Sequence, residues 1–202
     1  MVEHYLGSCK KKLMTGTTVV FMDESGYSLI PYVARTWAPK GIVPPLFHSF
    51  RTRRKISAIS GIAVQYRKGI LDTDLYFRLH PDKTIHGKEV VGFLWQLDQQ
   101  IKGDIILVWD NLKAHRSRKV KKFLKKHPRF LPYPLPPYCP ELNPDEGVWN
   151  WTKSKDLANI CADDPDDMVH YVRGSLRKMQ KRKHLHKWCL YETDLKWDLL
   201  PY

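Results

Sequence analysis

The sequence predicts an α/β fold: a mixed sheet covered by helices, antiparallel in its first half and parallel in its second. Three observations carry that expectation. Strand-like segments come first and in succession, at Thr17–Asp23, Ile56–Tyr66 and Ile70–Leu79. From His86 onward, helical and strand patterns alternate. Ile105–Trp109 is apolar throughout, as a strand buried on both faces must be.

Thr17–Asp23 is β-branched and apolar up to its acid, and reads as the first strand. Gly26 marks a turn, with Tyr27–Val33 as a hairpin partner. The stretches 35–41 and 43–45 are irregular. Ile56–Tyr66 is rich in small and β-branched residues, and Arg67-Lys-Gly69 turns it into the alternating Ile70–Leu79. His86–Ile101 places Val90, Val91, Phe93, Leu94, Leu97 and Ile101 at amphipathic-helix spacing, with Gly103 as its stop. Ser117–His127 turns Val120, Phe123 and Leu124 inward and its lysines outward, and Pro128 ends it. Phe130–Tyr133 is a short strand, and the prolines that follow through Pro140 impose an extended segment without ladder donors. Asn143 caps a helix with Pro144 at its first position, running to about Lys155. Asp163–Pro165 opens a last helix over residues 166–183. Residues 1–16 read as a tail or linker remnant, and 17–202 as one domain.

The 202 residues are 43% hydrophobic and 12% aromatic, ample for one core. No apolar span is long enough for a transmembrane helix and no signal peptide is legible, so a cytoplasmic protein is expected. Four scattered cysteines show no metal-ligand spacing and read as reduced thiols. The formal charge is +13, and its distribution says more than its sum. Acid-free stretches contain Arg51, Arg53 and Arg54, then Lys113, Lys121, Lys122 and Lys125, then Arg173–Lys187. One such run is ordinarily a solvated face; three favour a polyanion, and nucleic acid is the obvious one.

Three acids end recognisable phrases: Asp23 in Phe-Met-Asp-Glu-Ser, Asp110 in Val-Trp-Asp-Asn, and Glu146 in Leu-Asn-Pro-Asp-Glu. Two close buried-strand patterns, where α/β sheets place their sites. A converging acidic trio in so basic a chain suggests divalent ions, magnesium or manganese, working on phosphates. Each acid also has a plainer reading: a strand-end turn for Asp23, an Asx turn for Asp110, a helix N-terminal charge for Glu146. Glu24, Glu141 and Asp145 are adjacent competitors, and helical spacing does not separate Asp145 from Glu146. His115 is either a phosphate contact, a residue that steadies the site, or structural. Lys153 lies two turns beyond Glu146. Trp149 reads as core, and Trp37 reads more readily as a packed loop anchor than as a base-stacking residue.

Together the phrases resemble the catalytic domain of DDE transposases, specifically the mariner-like transposases of bacterial insertion sequences. The matching pieces are Phe21-Met-Asp-Glu-Ser-Gly26, Arg35-Thr-Trp-Ala-Pro-Lys-Gly41, Val108-Trp-Asp-Asn-Leu-Lys-Ala-His115 and Pro137-Tyr-Cys-Pro-Glu-Leu-Asn-Pro-Asp-Glu-Gly-Val-Trp149. The resemblance spans about residues 17–160. It implies a ribonuclease H-like fold, a homodimer on double-stranded DNA, and strand cleavage and transfer with two magnesium or manganese ions. It implies Asp23, Asp110 and Glu146 as their ligands, Glu146 being the acid after Asn-Pro-x. Cys139 stands where the family more often has Ser, and Asp145 where an apolar residue is usual. Only 22 residues precede Asp23, so the family's helix-turn-helix modules are expected on a separately encoded partner, or lost from a fragment or decayed copy. The alternatives are a nuclease that cuts without joining, and a silent DNA-binding derivative.

Overall fold

The computed structural model describes residues 12–13, 16–47, 55–67, 70–137 and 139–195. Five strands form one sheet: β1 Thr18–Ser28, β2 Lys55–Arg67, β3 Ile70–Pro81, β4 Ile105–Trp109 and β5 Phe130–Pro134. Their spatial order is β3-β2-β1-β4-β5. β1 pairs antiparallel with β2 across a long connection, and β2 pairs antiparallel with β3, only two residues away in sequence. β1 pairs parallel with β4, and β4 with β5, each reached through a helix. The antiparallel-then-parallel sheet expected from the element order is the one observed.

The helices are α1 Gly87–Gln100, α2 Arg118–Lys126, α3 Asp145–Trp151, α4 Pro165–Lys181 and α5 Lys183–Tyr191. Local chemistry sets their starts. The His86 N–H donates to Glu89 at 3.1 Å ahead of α1, and Ser117 accepts from the Val120 N–H ahead of α2. Asp164 accepts from the N–H groups of Asp166 and Asp167 at 2.7 and 2.9 Å ahead of α4. Strand alternation divides the core in two. Val20, Met22 and Trp109 face α1 and α2, whereas Val19, Phe21 and Val108 face α3, α4 and α5. Leu13 is fully buried in the second half. Among the described residues no helix is long and apolar enough to cross a membrane.

Two sequence expectations need correction, and one helix was not anticipated. Gly26 does not turn the chain; β1 runs on through Ser28 because β2 continues to pair with it, Gly26 against Ser57 and Tyr27 against Ile56. Beyond Ser28 the chain leaves the sheet, and Tyr32 makes only an isolated bridge to Ala158. The Asn159 side chain then brackets Ala34, accepting from its N–H at 2.9 Å and donating to its carbonyl at 3.0 Å. The helix after Pro144 is shorter than expected and passes into a π turn over Thr152–Asp156. The last expected helix is found, over Pro165–Lys181, but a further helix, Lys183–Tyr191, follows it past Arg182, whose φ of −105° and ψ of 77° leave the helical region.

Candidate active site

Register brings the first two acids together. Phe21 of β1 pairs with Val108 of β4. Asp23 and Asp110 each lie two residues further on, level with one another where the parallel pairing ends. Glu146 arrives from the other direction, in the first turn of α3. The Asn143 side chain accepts from the Asp145 N–H at 3.2 Å, the capping role expected of it. Gly147 lets α3 approach α5, since a Cβ there would meet Cys189 Sγ at 2.8 Å. Asp23, Asp110 and Glu146 all line one cleft of about 500 Å³, with Asn111, Asn143 and the proline segment from Pro136 to Pro140.

Electrostatics mark the cleft as short of positive charge. Burial, then the charges of Glu146 and Glu24, raise the Asp23 carboxyl from 3.8 to about 7. The Trp149 indole N–H donates to Asp23 Oδ2 at 3.0 Å, so the expected core tryptophan also fixes an acid. Among the described residues the cleft offers the carboxylates of Asp23, Asp110 and Glu146 and the amides of Asn111 and Asn143, beside the Cys139 thiol, and the oxygen donors suit magnesium, manganese or calcium.

Asp145 and Glu146, inseparable by spacing, differ sharply in place. Asp145 is fully buried and accepts from the Ser60 hydroxyl at 2.6 Å, while its Oδ1 has no partner. Burial pushes its carboxyl well above the usual range. Asp145 is therefore turned into the interior, away from the cleft, and Glu146 is the exposed acid that reaches it.

Behind the sheet lies a second cluster. Glu24 follows Asp23 and so points to the opposite face of β1. His115 Nε2 lies 2.8 Å from Glu24 Oε1, and its Nδ1 lies 3.0 Å from both the carbonyl and Oδ1 of Asp110. Burial would lower this imidazole, but the bonds to Asp110 and Glu24 outweigh it and carry it up to about 10. Burial works against Asp110 too, yet the bonds from His115 and the Leu112 N–H hold it below its usual value. The Leu112 bond, 3.0 Å to Oδ1, is the Asx turn that the plainer reading anticipated; Asp110 makes that turn and lines the cleft as well. Glu24, Asp110 and His115 stand close enough to suggest a metal site by proximity alone. The two imidazole nitrogens point in opposite directions, however, and each sits at hydrogen-bond distance from oxygen. We read this cluster as a carboxylate–imidazolium–carboxylate bridge.

The residues expected on DNA fall in four groups. Lys113, Lys121, Lys122 and Lys125 are exposed, the last three on the outer face of α2. Lys153 is half-buried beside the cleft: it donates to Ser25 Oγ at 2.7 Å and lies over the Tyr27 ring. Burial lowers its ammonium, against the pull of Glu146 and Asp23. His115 is buried, with both nitrogens engaged, and presents nothing to a phosphate. Arg51, Arg53 and Arg54 lie outside the described residues. Trp37, expected to pack, is fully exposed. Sequence reasoning missed Ser60 and treated Glu24 only as a competitor; strand alternation was the signal that Glu24 faces away from Asp23.

These shifts give a stability test. Native Asp23 keeps its proton up to about pH 7, whereas unfolded Asp loses it near 3.8, so the folded state binds more protons between those values. His115, raised from 6.5 to about 10, acts with the same sign at higher pH. In chelator, the thermal midpoint is expected to fall as pH rises from about 5 to about 9. Asp23→Asn should flatten the limb below pH 7, which a melting series across pH reads directly.

Sheet order, helix placement and a carboxylate-lined cleft at the strand ends define a ribonuclease H-like fold. The chain belongs to the family described as DDE superfamily endonuclease, which matches residues 18–169. Among curated protein sequences, none matches it. Solved structures of Mos1 transposase are similar in fold. The pre-cleavage Mos1 transpososome has a TM-score of 0.58 at 15% identity, covering 94% of this chain and 59% of that one. The Mos1 paired-end complex with the left transposon end has 0.53 at 13%, covering 96% and 61%. The Mos1 catalytic domain with Raltegravir and Mg has 0.53 at 16%, covering 94% and 90%. The chain thus spans less than two thirds of the chains in the DNA complexes, but nearly all of the isolated catalytic domain.

Proposed function

We propose that this chain is the catalytic domain of a mariner-like insertion-sequence transposase, which cleaves DNA at the element's ends and joins the freed strand to a target. The single observation that carries the reading is the meeting of Asp23, Asp110 and Glu146 on one cleft in a chain of this family. The three carboxylates would hold two magnesium or manganese ions, which when bound polarise phosphoryl oxygens and activate the attacking hydroxyl. The chain's own residues do the rest. Trp149 fixes Asp23, the Asx turn fixes Asp110, and the Asn143 cap sets the turn that carries Glu146. Lys113, exposed next to the cleft-lining Leu112, and Lys153, in the field of Glu146 and Asp23, would supply phosphate contacts. A homodimer on double-stranded DNA, a separately encoded helix-turn-helix partner and a place at the bacterial nucleoid complete the proposal.

The test is an assay with a labelled duplex carrying an element end, plus a target plasmid. Cleavage with joined products supports the transposase reading, whereas cleavage without joining would leave only a nuclease. Neither product would contradict catalysis by this chain.

Binding should be electrostatic, since phosphate contacts give affinity without sequence information. Charge reversal at Lys121, Lys122, Lys125 and Lys126 is expected to weaken an end sequence and a scrambled duplex about equally. Each lost contact should flatten the log–log salt slope by about 0.9. Titrations over several salt concentrations check this, and unchanged binding would make α2 a solvated face.

A further inference from the structure

We propose that His115 is a positioning residue for Asp110: it ties Asp110 to Glu24 across the β1–β4 pair and reserves Asp110 Oδ2 for a cation. The inference rests on the reading of Asp110 as a metal-holding acid.

The geometry excludes the other roles. His115 has only 2% of its side chain exposed, so a DNA phosphate does not reach it. It stacks on Trp109 with centroids 4.4 Å apart and planes 6° apart, but any flat ring could do that. What stacking does not need is two ring nitrogens at hydrogen-bond distance from two different acids. Nδ1 lies 3.0 Å from the carbonyl and from Oδ1 of Asp110, while Nε2 lies 2.8 Å from Glu24 Oε1. Oδ1 also takes the Leu112 N–H, so Oδ1 is fully committed and Oδ2 enters none of these bonds. The bridge therefore fixes which oxygen of Asp110 remains free. It also ties Asp110 to β1 beside Asp23, because Glu24 adjoins Asp23 in that strand. Hydrogen bonding of a ligating carboxylate by outer groups ordinarily governs its metal affinity.

Two substitutions separate the two bonds. In His115→Asn the amide nitrogen overlays Nδ1 and keeps the bond to Asp110; in His115→Gln it overlays Nε2 and keeps only the bond to Glu24. Mn²⁺ binding is measured on the full chain without DNA, by the paramagnetic resonance of free ion, below the melting temperature of each variant. We expect His115→Gln to lose about 10–100-fold in affinity and His115→Asn far less. Folded variants that bind Mn²⁺ within about twofold of wild type, or that lose affinity equally, overturn the proposal. Wild-type protein that binds no Mn²⁺ overturns the metal reading itself, and this inference with it. Where His115→Gln does not fold, ¹⁵N-histidine resonances of wild type serve instead. Mg²⁺ should shift the His115 Nδ1 signal more than that of Nε2, and Mg²⁺ binding with no such shift contradicts the role.

Discussion

Asp23→Asn and Asp110→Asn are each expected to lower DNA cleavage by about a thousandfold or more, close to 4 kcal/mol of transition-state stabilisation. Both acids stand just past the point where the parallel β1–β4 pairing ends, Asp23 within β1 and Asp110 after β4, and line the cleft that Glu146 also lines. Asn keeps the size of the side chain and removes the charge that holds a cation. DNA affinity should be unchanged or slightly higher, because one negative charge is lost near a polyanion. The contrast with Asp145→Asn is sharp. That acid is fully buried, does not line the cleft and has its carboxyl pushed well up by burial, so its amide should retain most activity and most stability. Cleavage time courses and binding titrations on the same preparations measure both. Near-normal cleavage by Asp23→Asn would remove it from the chemistry.

The second large effect is metal dependence. Chelator should abolish cleavage, and added magnesium or manganese should restore it. Calcium should support DNA binding but little chemistry, because its larger and more flexible shell does not impose the compact geometry of the smaller ions. Divalent ions should also raise the thermal midpoint most at pH 7 and above, where Asp23 would otherwise be held charged beside Glu146 and Glu24. Cleavage that persists in chelator contradicts a carboxylate-held metal.

Much of this site was legible before any coordinates, for physical reasons. A fully apolar run such as Ile105–Trp109 has to be buried, and an acid at its end has to emerge where the sheet stops. Asp23 was read the same way, yet it lies within β1, where only the pairing with β4 stops and that with β2 continues. Glu146 was harder: one residue of helical register separates it from Asp145, and tertiary partners decide between them, Ser60 on β2 holding Asp145 and Asn143 setting the turn. The course after Asp23 was misread because Gly26 looks like a turn, while pairing with β2 carries the strand through it. The break at Arg182 lies inside a uniformly basic run that offers no capping signal. Trp37 shows a further limit, since an apolar side chain in an irregular segment does not say whether the fold supplies a surface for it. The role of Glu24 required knowing that His115 returns to the strand it occupies.

The most direct test of the account is the location of Mn²⁺ in a crystal of this chain, read from anomalous scattering. The account predicts two peaks about 3.5–4 Å apart within the cleft, ligated by Asp23, Asp110 and Glu146. A peak centred between Glu24 and His115, or none at the cleft under saturating Mn²⁺, would contradict it.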